Sequence, residues 1–543
     1  MTIDAHASQT SGSTTTPLIE ETIGANFQKV VLKFPERDAL IDVPSGRRWS
    51  YSALNHDVDA LARGLLATGL TKGDRVGIWA PNVPEWVLLQ LATAKIGAIL
   101  VNVNPSYRVH ELRYAVQQSG MAMIVALTDF KGTDYQAMVE QVAPECPDLK
   151  TASYIGTPSW DALVAGGEAV PADAVEHAMA ALEPGDAINI QYTSGTTGYP
   201  KGATLSHRNI LNNGFFVTET IGFTEHDRLC VPVPFYHCFG MVMGNLGAIT
   251  HGAAIIIPAA AFDPAATLRA VQEERCTALY GVPTMFIAEQ NLPNFASYDL
   301  STLRTGIMAG SPCPVEVMKR CMTEMHMEGV SIAYGMTETS PVSMQTLMDD
   351  DVAHRTETVG RVHPHLEVKI VDPATGERVP LGTPGEFCTR GYSVMLGYWN
   401  DPEKTAAAID AQQWMHTGDL AVMYPDGYVN IVGRIKDMVI RGGENLYPRE
   451  IEEFLYKHPD IADVQVIGVP DDRYGEELCA WLLMKPGVAP LDQGAIAAYC
   501  DGHLSRHKIP RYVLVVDEFP MTVTGKVRKM DMRERTMEIL GLG

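Results

Sequence analysis

The chain has 543 residues, 46% hydrophobic and 20% charged, a globular balance with enough apolar material to need no disulfide or metal staple. Asp and Glu outnumber Lys and Arg 65 to 42. The resulting net charge of −23 argues against non-specific binding to nucleic acid or to an anionic membrane.

In chain order, residues 1–17 are polar and rich in Ser and Thr, and read as a disordered tail. Residues 1–16 lack the basic and apolar regions of a secretory signal. Residues 75–80 then read as a strand. Residues 84–97 read as a helix, with Trp86, Leu89 and Ala92 at helical spacing, and residues 98–103 as the next strand. The same strand–helix alternation recurs around 122–128, 253–258 and 278–282, which predicts parallel sheets flanked by helices, an α/β architecture.

After about residue 355 short strands with turn signals dominate: 365–371, 385–390 and 427–432. Beyond Arg434 a compact α+β pattern follows, with helices at 449–457 and 493–504 and strands at 463–469, 480–485 and 512–516. The predicted organisation is an N-terminal domain over 18–435, with a β-rich subdomain at about 355–435, and a small C-terminal domain over 436–543. The longest apolar run, 253–262, contains Pro258 and is too short to span a bilayer. Nine cysteines without a C-x-x-C pair read as reduced thiols, and the C-terminal Gly-Leu-Gly carries no peroxisomal or prenylation signal. A cytoplasmic protein without an integral membrane segment is expected.

The segment 192–202, YTSGTTGYPKG, carries the clearest chemistry. Gly195 and Gly198 permit close approach of backbone N–H groups to an anion. Thr193, Ser194, Thr196 and Thr197 add hydroxyl donors, and Lys201 adds charge. It reads as a phosphate cradle, although it is not a Walker A sequence.

This segment resembles the phosphate-binding signature of the AMP-forming adenylating enzymes: acyl-CoA synthetases, peptide-synthetase adenylation domains and firefly-type luciferases. Four further motifs follow in the family's order. Tyr334-Gly335-Met336-Thr337-Glu338 resembles the adenine and magnesium motif, and 414–419 (WMHTGD) the ribose motif. Residues 433–445 (GRIKDMVIRGGEN) resemble the hinge, and 520–526 (PMTVTGK) the C-terminal catalytic-lysine motif. Gly310-Ser311-Pro312 resembles the loop on the other face of the adenine.

The resemblance implies a large α/β N-terminal domain and a small mobile C-terminal one. It implies ATP and CoA as co-substrates and Mg²⁺ held by Glu338, a hard oxygen ligand. Asp419 and Arg434 are then expected at the ribose, Lys526 and Lys201 as catalytic cations, and Lys436 at the hinge. Gly442 and Gly443 are expected to face CoA's pantetheine. Phe235 and His237, in the segment 235–240 (FYHCFG), and Gly310 are expected at the acyl pocket, His237 as a gate; Cys238 is read as packing.

No carrier-protein signature follows Lys526, and the chain ends 17 residues later, which favours free CoA over a carrier thiol. Amino-acid-activating relatives place an Asp after the Phe of the gate segment. Here Phe235 is followed by Tyr236, so amino acids are disfavoured. The runs 334–341 and 442–448 look most like medium-chain fatty-acyl-CoA synthetases. A short-chain, long-chain or aryl acid remains an alternative, as do a luciferase-type oxygenase and a silent acyl- or nucleotide-binding protein. Oligomeric state is open, a homodimer included. The H-x-H at His363 and His365 reads as a surface loop, and Asp349–Asp351 as a solvated acidic run.

Overall fold

In the computed structural model, residues 8–193, 200–442, 444–521 and 527–542 are described. Contacts divide the chain into two units. The first holds Ser11–Glu367 and Thr389–Met415; the second holds Thr2–Thr10, Val368–Cys388 and His416–Gly543. This division groups residues 416–435 with the C-terminal 436–543.

The first unit contains two large sheets. One has the order Gly397–Tyr398, Lys201–Ser206, Ala187–Thr193, Ile99–Asn102, Arg75–Trp79, Met123–Ala126 and Thr151–Tyr154. Its last five strands are parallel, and the first two are antiparallel additions. The other has nine strands with a parallel centre: Gly329–Gly335, Thr305–Ala309, Ala278–Gly281, Arg228–Cys230, Ala254–Ile257 and Asp38–Asp42. Parallel strands buried on both faces read as continuous apolar runs, which is why the alternation was visible in the sequence.

The helix Pro84–Ile96 starts with Pro in its first turn and ends at Gly97, whose φ of 75° is the left-handed cap. All of its residues are buried, so the helical spacing of Trp86, Leu89 and Ala92 marks only part of a helix enclosed on every side. Lys95 on it is buried with its ammonium 2.6 Å from Asp59 and 2.6 Å from Asn55.

Strands Gln9–Ser11, Leu366–Val371, Gly385–Gly391, Met415–Met423 and Val429–Arg434 form a five-stranded sheet in that order. The C-terminal part of the second unit has its own sheet. Gly475–Met484 pairs antiparallel with Ile461–Asp471 and parallel with Tyr512–Val516, backed by the helix Pro448–Leu455.

Three expectations are corrected. The polar start is not disordered throughout: Gln9–Ser11 is an edge strand with Ser8 and Thr10 buried, because Ser8 exchanges backbone hydrogen bonds with Val379 and Ile370. His363 is not on a surface loop; it is buried, 2.7 Å from Gln345 through Nε2, and burial lowers its pKa to about 3. His365 has φ 58° and lies 2.6 Å from the Thr16 carbonyl. Asp350 of the acidic run is buried and accepts the Leu347 N–H, whereas Asp351 caps the helix Val352–Glu357. All nine cysteines are buried and none is in a disulfide. Among the described residues no helix is long and apolar enough to cross a membrane.

Candidate active site

In the first unit the hairpin Ala187–Thr193 and Lys201–Ser206 brings Thr193 opposite Lys201. The two ends of the predicted phosphate loop are therefore held by sheet pairing. Ser194, Gly195, Thr196, Thr197 and Gly198 themselves lie outside the described residues.

Thr193 Oγ1 donates to Glu338 Oε1 at 3.2 Å, and the Tyr398 hydroxyl donates to the same oxygen at 2.9 Å. Lys201 Nζ in turn donates to the Tyr398 hydroxyl at 2.9 Å and lies 4.2 Å from the ring centroid. Burial, reinforced by the Glu338 charge, pushes the Tyr398 phenol far above its ordinary pKa, so it stays protonated and can donate.

Glu338 is positioned by local geometry. The strand Gly329–Gly335 ends where a Cβ on Gly335 would sit 1.8 Å from the Pro341 carbonyl oxygen, so only glycine fits. A 3-10 turn, Thr337–Thr339, follows, with the Met336 N–H bonded to Thr339 Oγ1 at 3.1 Å. Ser340 then adopts φ 74° while its hydroxyl donates to the Ser393 carbonyl at 2.6 Å. The carboxylate is buried but faces hydroxyl donors.

The adjacent parallel strand Thr305–Ala309 pairs Ala309 with Ala333. Gly310-Ser311-Pro312 and Tyr334-Gly335-Met336 thus leave the carboxyl ends of neighbouring strands, the edge where open α/β sheets bind ligands. Gly310 has φ 93°, a left-handed value that suits glycine.

The expected gate segment touches this turn. Cys238 Sγ lies 3.7 Å from Thr337 Oγ1 and 3.8 Å from His237 Nδ1. The Phe239 N–H donates to His237 Nδ1 at 3.2 Å, which assigns Nδ1 as acceptor and places the proton of the neutral ring on Nε2. Phe235 is fully buried against Trp86, with its N–H on Asn82 Oδ1 at 2.8 Å. The chain continues as a π-helix, Phe239–Leu246, a form common at functional sites that periodicity did not reveal.

The second unit holds the expected ribose residues. Asp419 and Arg434 face each other across paired strands, with Arg434 Nε 3.0 Å from Asp419 Oδ1. Asp419 is buried at 7% exposure. Its N–H donates to Thr417 Oγ1 at 3.2 Å, and Thr417 Oγ1 donates to the Phe387 carbonyl at 2.7 Å. Gly418, at φ 71°, donates its N–H to Glu386 Oε1 at 3.1 Å, while Glu386 Oε2 lies 2.8 Å from His416 Nδ1. Lys436 sits in the 3-10 turn Ile435–Asp437, where burial, and then the neighbouring Arg434 charge, lower its pKa. Gly442, φ 61°, turns the chain between Val439–Arg441 and Glu444–Leu446 and donates its N–H to the Tyr474 carbonyl at 2.8 Å. Gly443 and Lys526 lie outside the described residues.

Tyr398 and Glu386 were missed in the sequence. Tyr398 follows Gly397 in a two-residue strand, a weak signal, and Glu386 lies within a predicted strand without any motif mark.

A buried carboxylate, a lysine and glycine turns at carboxyl strand ends define an α/β enzyme that handles an anionic ligand. The chain matches the AMP-binding enzyme family over residues 27–399 and the AMP-binding enzyme C-terminal domain over 450–526. It belongs to that family. It is 48% identical to Bacillus subtilis (strain 168) YngI, provisionally named an acyl-CoA synthetase, over 97% of this chain and 99% of YngI. It is 44% identical to the mitochondrial medium-chain acyl-CoA ligase ACSF2 of Danio rerio, over 98% of this chain and 91% of that protein. The crystal structure of ATP-bound MatB from Rhodopseudomonas palustris superposes with a TM-score of 0.85 at 29% identity, covering 95% and 99% of the two chains.

Proposed function

We propose that this protein is a medium-chain fatty-acid–CoA ligase of the cytoplasm. In the first half-reaction the fatty-acid carboxylate oxygen attacks the α-phosphorus of ATP, and pyrophosphate leaves to give an acyl-adenylate. In the second the CoA thiol, losing its proton, attacks the acyl carbonyl and AMP leaves. The observation that carries this reading is the near full-length likeness to a medium-chain acyl-CoA ligase.

The residues are assigned as follows. Lys201 and the loop 193–198 are assigned to the phosphates, where ammonium and backbone donors would stabilise developing negative charge. Gly310-Ser311-Pro312 and Tyr334–Thr337 flank the adenine. Asp419 accepts from the ribose hydroxyls, beside Arg434. Lys526 bridges the carboxylate and the α-phosphate. Gly442 and Gly443 pass along pantetheine, Lys436 is the hinge, and Phe235, His237 and Gly310 bound the acyl chain.

Glu338 fits Mg²⁺: it is a hard-oxygen carboxylate, oriented by the Thr193 and Tyr398 hydroxyls that donate to its Oε1. Glu338 would hold it, and when bound the ion neutralises phosphate charge.

The test is an assay of AMP and pyrophosphate release with CoA across short-, medium- and long-chain saturated acids and benzoate. Medium chains should give the highest kcat/KM. ADP and phosphate as products would overturn the reaction, and a maximum outside the medium chains would overturn the substrate class.

A further inference from the structure

Lys201 and Glu338 do not act on one another directly here; they meet through the phenol of Tyr398. The direction of that bridge is fixed by chemistry. An ammonium has only donors and a carboxylate only acceptors, so the phenol oxygen must accept from Lys201 and its proton must go to Glu338. No other assignment satisfies both contacts.

The bridge is held from the backbone. Tyr398 pairs with Ala203 on the strand that carries Lys201, two residues away and therefore on the same face. This diagonal placement lays the lysine over the ring as well as against the hydroxyl. The Tyr398 N–H donates to Thr405 Oγ1 at 2.9 Å, and Thr405 Oγ1 donates to the Asp401 carbonyl at 2.8 Å. Gly397 before it has φ 145°, and a Cβ there would lie 2.9 Å from the Thr405 methyl. Tyr398 is itself buried at 6% exposure.

We propose that Tyr398 is a positioning residue that keeps the lysine and the carboxylate in register without letting them neutralise each other. A direct buried ion pair would have to be broken before either group could serve a ligand. A neutral hydroxyl gives up both contacts more readily. When the triphosphate and its metal ion arrive, Lys201 turns to phosphate and Glu338 to the ion, and the ring holds the stem of the lysine in place. This rests on the roles assigned above to Lys201 and Glu338.

Tyr398→Phe keeps the ring and removes only the hydroxyl. The readout is Mn²⁺ binding in the presence of ATP, followed by electron paramagnetic resonance, with no fatty acid present. Loss of one charge-assisted bridge should weaken Mn²⁺ binding by about tenfold. In steady state, KM for ATP and the half-activating Mg²⁺ concentration should rise, while KM for fatty acid and for CoA should not. In the double variant Lys201→Gln/Tyr398→Phe, Mn²⁺ binding should return to that of Lys201→Gln alone, because the competing ammonium is gone. Wild-type Mn²⁺ affinity in a folded Tyr398→Phe enzyme would overturn the inference while leaving the reading of Glu338 intact. A wild-type enzyme that binds no Mn²⁺ with ATP would instead overturn that reading, and this inference with it.

Discussion

Asp419 is a carboxylate kept in place by its neighbours. Arg434 Nε occupies one of its oxygens, and its own N–H is turned inward onto Thr417. The arginine side chain is 51% exposed, so this pair contributes little to folding. Asp419→Ala should therefore weaken ATP binding by roughly tenfold to a hundredfold, the loss of hydrogen bonds to a charged acceptor, while the melting temperature shifts little. Calorimetric titration with ATP and a thermal melt separate the two effects. A large drop in melting temperature with unchanged ATP affinity would remove the ribose assignment. At this scale the sequence singles out residues that sit in local motifs, as Glu338, Asp419 and Lys201 do. Tyr398 was not readable, because its role comes from partners 197 and 60 positions away. Glu386 works the same way, through the Gly418 N–H and His416 on another strand.

Secondary-structure elements of the first unit are joined by buried histidines that must stay neutral. His207 opens the helix His207–Thr220, and its Nδ1 accepts the N–H of Ile23, the first residue of the helix Ile23–Lys33. Burial lowers its pKa to about 3, as it does for His363. In the unfolded chain both should titrate near 6.5. Between these values the unfolded state binds more protons, so the stability is complete above about 6.5 and is lost as pH falls toward 3. Each histidine then costs up to about 1.4 kcal/mol per pH unit. Urea unfolding at pH 6.5, 6 and 5 should show falling stability, and His363→Gln should flatten that slope. An unchanged slope would mean that His363 is not held neutral. The strands themselves were legible where β-branched and aromatic residues run together: 512–516 and 75–80 match observed strands closely. Gln9–Ser11 was hidden because its polar residues are satisfied by a distant strand, not by an apolar pattern. The π-helix Phe239–Leu246 was hidden because it is buried on all sides.

For the molecule as a whole, one active site must perform two reactions with different nucleophiles, and the second must not be obstructed by groups serving the first. A hinge at Lys436 that presents Lys526 for adenylation and Gly443 for thioester formation would meet this need, and it can be tested by separating the half-reactions. Lys526→Ala should slow acyl-adenylate formation by roughly 10²- to 10³-fold, the usual loss for one electrostatic stabiliser, and largely spare transfer from a pre-made acyl-adenylate to CoA. Gly443→Leu should do the reverse, because a leucine would fill the space pantetheine needs. Lys436→Pro should resemble Gly443→Leu, since a fixed φ restricts rotation without touching the nucleotide. Exchange of labelled pyrophosphate into ATP reports the first step and acyl-CoA formation the second. A folded Gly443→Leu enzyme that fails in both would assign this glycine to the nucleotide. Equal loss in both steps for Lys526→Ala would remove the assignment of this lysine to adenylation alone, and with it the reason for the chain to turn about Lys436.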